Sequence, residues 1–494
     1  MTANVIREWT ADELRSFGYR AVDLIAQHLT GVPERPAFRP VPADVRHRLL
    51  TSCADGSGRD ALEVLEQFGE SVEPFPFGNG HPAFFGWVNS PPLPIAVFAE
   101  ALAAAMNPSC AGGNHAAVYV EEAVTSWFKS LFGFQESAKG LLVSGGSMAT
   151  LIALTIARHV ATDKMGWDVR RLGVNNLPRR LVIYKTREAH SCIQKAVELL
   201  GLGSDSIHLV PHDRELRMRP EALDAMIRED VASGALPCAV VATAGTVNTG
   251  AIDPLADIAD LCDKHDVWLH VDGAYGAPAI LSARYRPLLS AIDRCDSLAV
   301  DPHKWLFVPV EAGLVIVRDA AVMRDAFSLV PAYLRTDGSL EGVGGPPWFS
   351  EYGFQQTRSF RALKTWMAVT HVGQDGYRAT IDSNLALADQ LAEKLSCIAN
   401  VELLTPRSLS IVCFRYVPEE LEGELTKVNE LNERLLERVQ LGGVAFLSGT
   451  RIDDMFWLRA CIVNFRTEEK HLDGLAEHIA ELVREARRHE VGKE

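Results

Sequence analysis

The chain has 494 residues, 47% of them hydrophobic and 23% charged, the balance of an ordinary globular protein with room for more than one core. With 49 basic and 64 acidic residues its net charge is −15, which argues against a nucleic-acid partner. The nine cysteines run from Cys53 to Cys461 without a C-x-x-C pair and fit a reduced, cytoplasmic protein better than a disulfide framework or a zinc site. Met1–Thr10 lacks the apolar core of a signal peptide. The longest apolar stretch, near Ile95–Met106, is short and broken by Glu100, so no membrane span is predicted.

Thr10-Ala-Asp-Glu13 has capping-box spacing, and Leu14, Phe17, Ala21, Leu24, Ile25 and Leu29 then recur at helical intervals. This helix must bury its stripe on the main body or on a partner subunit. Val32–Pro42 reads as a surface linker and Ala61–Phe68 as a second helix. From Phe75 to Pro94 aromatic and turn residues mix, as in loops that pack on a core or line a pocket. Phe84 and Phe85 favour the core, and Trp87 to Ser90 can face a pocket.

Leu141–Ser144 is strand-like, Gly145-Gly146-Ser147 turns, and Met148–Val160 is helical. Strand, glycine turn and helix N-terminus form an anion-binding arrangement, because free N–H groups and the helix dipole point at the ligand. Neither a Walker A nor a G-x-G-x-x-G pattern is present, which disfavours nucleotides. The next strands are Leu181–Tyr184, followed by His190, and Cys238–Ala244, followed by Gly245-Thr246-Val247. His208 and His212 lie in an irregular segment without further ligands, so they are expected to be structural and no metal is predicted. Asp253-Pro254 is predicted to cap a helix running to His265, and Val267–Val271 to form a strand ending at Asp272. This alternation predicts a mainly parallel sheet with helices on both faces.

Leu298-Ala299-Val300 is a short buried strand stopped by Asp301-Pro302, which places His303 and Lys304 at a strand end, where α/β proteins hold ligands. Such a lysine can lay its stem over Trp305. Buried, it calls instead for a lowered pKa or a covalent imine. Gly313–Val317 reads as a half-buried strand, and Ser328–Gly353, with Tyr333 near its start, as a long glycine-rich loop that is either a functional lid or disordered. A helix starts at Arg358–Ala368. Beyond it, Leu385–Leu395, Val401–Leu404, Ser410–Arg415, Leu425–Val439 and Met455–Ile462 suggest a small α+β domain.

A phosphate-type turn at Gly146-Ser147, a histidine at 190, a carboxylate at 272 and a lysine at 304 follow one another at predicted strand ends. Each has an ordinary explanation alone; together they match pyridoxal 5′-phosphate (PLP). Its aldehyde needs a lysine, its ring nitrogen a carboxylate, its phosphate a helix N-terminus and its ring face a flat partner. The motifs His81-Pro-Ala-Phe-Phe85, Ser144-Gly-Gly-Ser147, Ala189-His190-Ser191, Ala242-Thr-Ala-Gly-Thr246, His270-Val-Asp-Gly-Ala-Tyr275 and Asp301-Pro-His-Lys-Trp305 carry a resemblance over nearly the whole chain. It resembles the group II PLP-dependent amino acid decarboxylases, and within them the aromatic-L-amino-acid decarboxylases.

The resemblance implies a fold-type I (aspartate aminotransferase-like) α/β architecture. Residues 1–80 would be a helical dimerisation segment, 81–365 a large PLP-binding domain and 366–494 a small C-terminal domain. It implies Lys304 as covalent anchor of the cofactor, Asp272 as partner of the ring nitrogen and His190 as the stacking group. His303 would lie near the phosphate or the substrate carboxylate, and Gly146, Ser147 and Thr246 would bind the cofactor. Tyr333 resembles the mobile-loop tyrosine that returns a proton to the substrate after carbon dioxide leaves, where related aldehyde synthases usually carry phenylalanine. Phe85, Trp87, Ser90 and Thr357 are expected at the substrate pocket. Asp301 stands where some relatives have an asparagine near the phosphate and is expected to point elsewhere. Val247 and Met148 also depart from the family pattern. The implied activity is decarboxylation of an L-amino acid, most simply tryptophan, tyrosine, phenylalanine or DOPA, by a homodimer. An aldehyde synthase and a decarboxylase of non-aromatic amino acids are the alternatives.

Overall fold

The computed structural model describes residues 6–53, 58–329 and 348–491. Seven strands form the central sheet: β1 (Lys139–Val143), β2 (Leu181–Lys185), β3 (Ile207–Leu209), β4 (Leu236–Thr243), β5 (Trp268–Asp272), β6 (Ser297–Val300) and β7 (Gly313–Val317). Their spatial order is β1-β7-β6-β5-β4-β2-β3, with β7 alone antiparallel to its neighbours. The expected half-buried Gly313–Val317 strand is buried throughout, since it lies between β1 and β6 beneath the helix Gly146–Asp163.

Residue alternation within each strand feeds two helical layers. On one face Leu141, Val143, Ala299 and Val315 meet Ala149, Ile152, Ala153 and Ile156 of the helix Gly146–Asp163. On the other, Leu142, Val182, Val240, Leu298 and Leu314 pack with Phe128, Leu223 and Ile258, drawn from three helices. The sequence therefore reads as short apolar runs, because neither face of these strands meets water.

Four antiparallel strands, β8 (Val401–Leu403), β9 (Ile411–Tyr416), β10 (Ser448–Ile452) and β11 (Met455–Cys461), form a second sheet in the order β10-β11-β9-β8. Leu391 and Leu395, Leu435 and Val439, and Leu472 and Ile479 cover it from three helices. The first of these helices, Arg361–Ser396, runs from the expected Arg358–Ala368 helix through the Leu385–Leu395 segment and spans both bodies. Its break is at Gly373, whose φ of 67° and ψ of 170° suit glycine.

The N-terminal helix Ala11–Gly31 has its capping box: the Glu13 N–H donates to Thr10 Oγ1 at 3.2 Å and the Thr10 N–H to Glu13 Oε2 at 2.8 Å. None of its residues is buried. Asp253 is not the helix cap expected of it. The helix begins at Leu255, and the buried Asp253 carboxylate instead accepts the Met218 and Thr243 N–H groups, each at 2.7 Å, securing the end of β4. Among the described residues no helix is long and apolar enough to cross a membrane.

Candidate active site

The carboxyl ends of β1, β2, β4, β5 and β6 share one edge of the central sheet, and β7 starts there, with Gly313 opposite Val143. The residues following these strands enclose a cavity of about 470 Å³, within the roughly 300–1,000 Å³ usual for small-molecule sites. Gly146, Ser147, His190, Asp272, His303, Lys304 and Trp87 all line it, so one site gathers residues spread over more than two hundred positions of sequence.

Lys304 ends a tight turn in which its N–H donates to the Asp301 carbonyl at 2.9 Å. Behind it the fully buried Trp305 stacks on Tyr275 at 5.1 Å and donates its indole N–H to Asn384 Oδ1 at 3.0 Å. The lysine stem therefore does not drape over Trp305. Ser90 Oγ donates to the Lys304 carbonyl and, at 3.1 Å, to that of His303, so it fixes the lysine's backbone rather than lining the cavity. Lys304 Nζ meets Asp301 Oδ2 at 3.0 Å. Burial pulls the amine's pKa down, but Asp301 and Asp272 outweigh it, and the net shift is upward from the ordinary lysine value. The lowered pKa offered as one expectation is thus reversed by two facing carboxylates.

Asp301 also departs from expectation. Its buried carboxylate turns towards the glycine turn, where a Cβ on Gly146 would come within 3.0 Å of Oδ2, and Oδ1 has no hydrogen-bond partner among the described residues. The short Asp301–Lys304 turn leaves the side chain little else to face.

Asp272 closes β5. Its Oδ1 accepts the Ala274 N–H at 3.1 Å, and Thr243 lies beside it in the parallel register. His190 Nδ1 accepts the Cys192 N–H at 3.1 Å, which leaves Nε2 as the protonated nitrogen of the neutral ring. Burial lowers the His190 pKa and Lys304 lowers it further, against an opposing pull from Asp272. His303 is lowered chiefly by burial too, and its Nδ1–H donates to the Ala312 carbonyl at 2.6 Å. Cys192 lines the same wall, its thiol pushed up to about 12 by burial and by Asp272.

Met148 and Ala149 donate to the Gly145 carbonyl, both at 3.0 Å, so the first free N–H groups of the helix belong to Gly146 and Ser147, at the cavity wall. Gly313 presses on this turn closely enough that a Cβ there would fall 2.3 Å from Gly145 Cα.

These residues fit PLP. Lys304 supplies an amine and the Gly146–Ser147 turn an anion seat; among the described residues Asp272 accepts a donor through Oδ1, and Thr243 adds a buried hydroxyl without a partner on the cavity wall. Asp301 is the one group poorly matched to a phosphate at that turn.

Other expected positions lie elsewhere. Thr246 is fully buried and its Oγ1 is engaged within the following turn, by Thr249 Oγ1 at 2.9 Å and the Ala251 N–H at 3.1 Å. Thr243, three residues earlier, faces the cavity instead. Phe85 is fully buried in the small-sheet core, bonded through its backbone to Phe446 and Cys461. Thr357 is exposed off the cavity wall, since the adjoining Arg358 is drawn inside to Glu121. Tyr333 lies outside the described residues. Sequence reasoning missed Thr243, Cys192 and Arg459. The first follows from its register with Asp272 and the second from its place two residues after His190. Arg459 carried no local signal, yet its buried guanidinium donates to the Trp87 carbonyl at 2.8 Å and keeps Nη2 without a partner among the described residues.

The pyridoxal-dependent decarboxylase conserved domain matches residues 45–417. An aromatic-L-amino-acid decarboxylase of Bacillus atrophaeus is 37% identical over 465 residues, covering 94% of each chain. A phenylacetaldehyde synthase of Arabidopsis thaliana is 28% identical over 481 residues, covering 95% of this chain and 96% of its own. The crystal structure of Oryza sativa TDC with PLP and tryptamine superposes with a TM-score of 0.89 at 26% identity, covering 98% of this chain and all of that one.

Proposed function

The chain belongs to the pyridoxal-dependent decarboxylase family and is a PLP-dependent amino acid decarboxylase, and from that premise we propose that its substrate is an aromatic L-amino acid, released as the amine and carbon dioxide. One observation of the site carries the reading. Trp87, at the cavity wall and 42% exposed, stacks on Phe77 at 5.3 Å with 22° between the rings, offering a flat apolar surface to a substrate ring. The 37% identity to an aromatic-L-amino-acid decarboxylase supports the same class.

PLP, when bound, supplies an electron sink for the bond to the departing carboxylate. Lys304 anchors it. Asp272 holds a proton at the ring nitrogen. His190, its tautomer fixed through Nδ1, presents a neutral ring beside the reacting centre. Gly146 and Ser147 N–H groups hold the phosphate. Tyr333, outside the described residues, returns a proton to the substrate's α-carbon. The likeness to phenylacetaldehyde synthases keeps an oxidative outcome in view; a tyrosine at 333 supports amine as the product.

The active unit in this reading is a homodimer. The helices Ala11–Gly31 and Ala61–Ser71 leave Leu14, Tyr19, Val22, Leu62, Val64 and Phe68 exposed, an apolar surface suited to a second copy. Nine cysteines without a disulfide fit the proposed cytoplasmic setting.

A panel of L-amino acids assayed for carbon dioxide, amine, aldehyde and hydrogen peroxide tests the proposal. Amine from tryptophan, tyrosine, phenylalanine or DOPA, far above that from glutamate or aliphatic substrates, is expected. Preferred turnover of a non-aromatic substrate, or aldehyde with peroxide as main products, would overturn it.

A further inference from the structure

We propose that Asp301 is a positioning residue for Lys304 that opposes cofactor capture, holding the amine as an ammonium and crowding the turn that must seat the phosphate. Its Oδ2 lies 3.0 Å from Lys304 Nζ, nearer than any other carboxylate paired with that amine. Among the described residues Oδ1 is buried without a donor, so one half of the carboxylate stays uncompensated by them. The same carboxylate stands against Gly146, whose free N–H would serve an incoming phosphate. A dianion entering there meets a fixed negative charge at close range.

The other titratable groups facing the lysine are too few in positive charge to cancel this. Among the described residues, Asp272 adds negative charge to the cavity wall, Glu311 is paired with Arg361 at 2.8 Å, and burial lowers the His190 and His303 pKa values and raises that of Cys192, although His303 Nε2 stands 3.9 Å from Asp301 Oδ2. The Lys364 charge also lowers the His303 pKa, but Lys364 is paired with Glu100 at 2.8 Å. Lys304 is therefore the positive charge left to answer Asp301, and the pair locks the amine in its unreactive form.

Capture needs the free amine. The ammonium proton leaves to solvent, the nitrogen lone pair forms the bond to the aldehyde carbon, and the carbonyl oxygen departs as water with the two remaining amine hydrogens. Uptake should thus rise roughly tenfold per pH unit while the lysine stays charged. Removing a carboxylate at ion-pair distance should lower the lysine pKa by about one unit or more.

The test uses full-length protein, reversibly stripped of PLP and reloaded between about pH 6 and 9, a range spanning the ordinary histidine pKa but below that of lysine. Loading is read from the absorbance of bound cofactor and from quenching of tryptophan fluorescence, neither of which requires turnover. Asp301→Asn keeps the shape and removes the charge. It should load about tenfold faster or more at neutral pH, with its rate profile displaced to lower pH by about one unit or more. Equal rates and equal profiles, or slower loading, would overturn the inference. Acetylation of Lys304 against pH in the stripped wild-type chain gives a second reading that needs no variant; an amine titrating at or below the ordinary lysine value also refutes it. The inference rests on Lys304 as the anchor. Borohydride reduction of the loaded wild type and peptide mapping check that separately, and a cofactor fixed to another lysine would overturn both.

Discussion

Arg358 and Glu121 form a bidentate ion pair with both side chains out of solvent, 2% and 0% exposed, behind the glycine turn. The guanidinium also donates to the carbonyls of Leu142 at 2.6 Å and Cys110 at 2.8 Å, and Glu121 Oε1 accepts the Leu142 N–H at 3.1 Å. The pair thus fastens the end of β1 two residues before the turn. Breaking one partner strands the other charge, so Glu121→Ala should cost about 3–5 kcal/mol in urea unfolding. Replacing both residues with apolar ones of similar volume should recover much of that loss. A Glu121→Ala cost below about 1 kcal/mol, the level of an exposed pair, would show that the pair carries no burial penalty.

Gly313→Ala probes the turn from its other side. A Cβ there would overlap Gly145 backbone atoms at 2.3–2.6 Å, and no side chain can yield to relieve it. The turn must move, and with it the Gly146 and Ser147 N–H groups. PLP affinity should fall by about tenfold or more, a shift of roughly 1.4 kcal/mol, with far-ultraviolet circular dichroism unchanged. Gly140→Ala, whose Cβ would instead meet the Thr125 side chain at 2.5 Å, should lower stability with a smaller effect on PLP affinity. Equal PLP affinities in wild type and Gly313→Ala would mean that the turn is not the phosphate seat.

The site was legible in sequence where chemistry and strand ends coincide. Lys304, Asp272, His190 and the Gly146–Ser147 turn each follow an apolar run short enough to be a buried strand, and the sheet brings those ends together. What stayed hidden depended on partners distant in sequence. Phe85 lies four residues from His81 and two from Trp87, yet its fate is set by Phe446 and Cys461. Thr246 looks like a cavity hydroxyl until Thr249 and Ala251 claim it. Arg459 reaches the Trp87 backbone from the small sheet, which no local pattern foretells. The continuity of the Arg361–Ser396 helix is hidden in the same way, since glycine often ends helices whereas here Gly373 only bends the path.

Two buried histidines set an acid limit on stability. Burial is the main cause for both: it lowers His270 to about 4, against a weaker opposing pull from Asp272, and lowers His81 to about 4 with help from nearby His471. Depressed histidines favour the folded state above the unfolded pKa of about 6.5, and that advantage is lost as pH falls from there towards 4. Asp253, raised to about 6 by burial, works the other way and gains stability as pH falls through 6 towards its unfolded value. The unfolding free energy should therefore decline below about pH 6.5 less steeply than the two histidines alone require. His270→Asn should flatten that decline, and Asp253→Asn should steepen it. Urea midpoints measured across this range decide the matter, and an unaltered slope in His270→Asn would remove its assigned role.

Asp272→Ala should separate cofactor binding from chemistry. Lys304 and the glycine turn remain, so the protein should still take up PLP and fix it on borohydride reduction. Without a carboxylate to keep the ring nitrogen protonated, the turnover number should fall about a thousandfold or more, at least about 4 kcal/mol of barrier. Near-normal turnover in a PLP-loaded Asp272→Ala would take the ring-nitrogen role from this residue.

Trp87→Ala tests the substrate class at the residue that carries the proposal. The indole lies between Phe77 and the cavity, and its backbone is held independently by Arg459 at the Trp87 carbonyl. The Trp87 φ of 47° is an unusual backbone conformation that the side-chain change need not disturb. Loss of the ring removes an aromatic contact worth about 0.5–1.5 kcal/mol, so kcat/KM for an aromatic substrate should drop about two- to tenfold. The loss should appear mainly in KM, because the contact lies away from the reacting carbon and acts alike in the ground and transition states. Trp87→Phe, which keeps a ring, should recover most of it. PLP affinity should be unchanged in both variants, since no phosphate or ring contact is assigned to this residue. Parallel assays with an aromatic and an aliphatic substrate supply the decisive comparison: equal loss for both would make Trp87 a structural wall, whereas loss confined to the aromatic substrate would place the substrate ring against it.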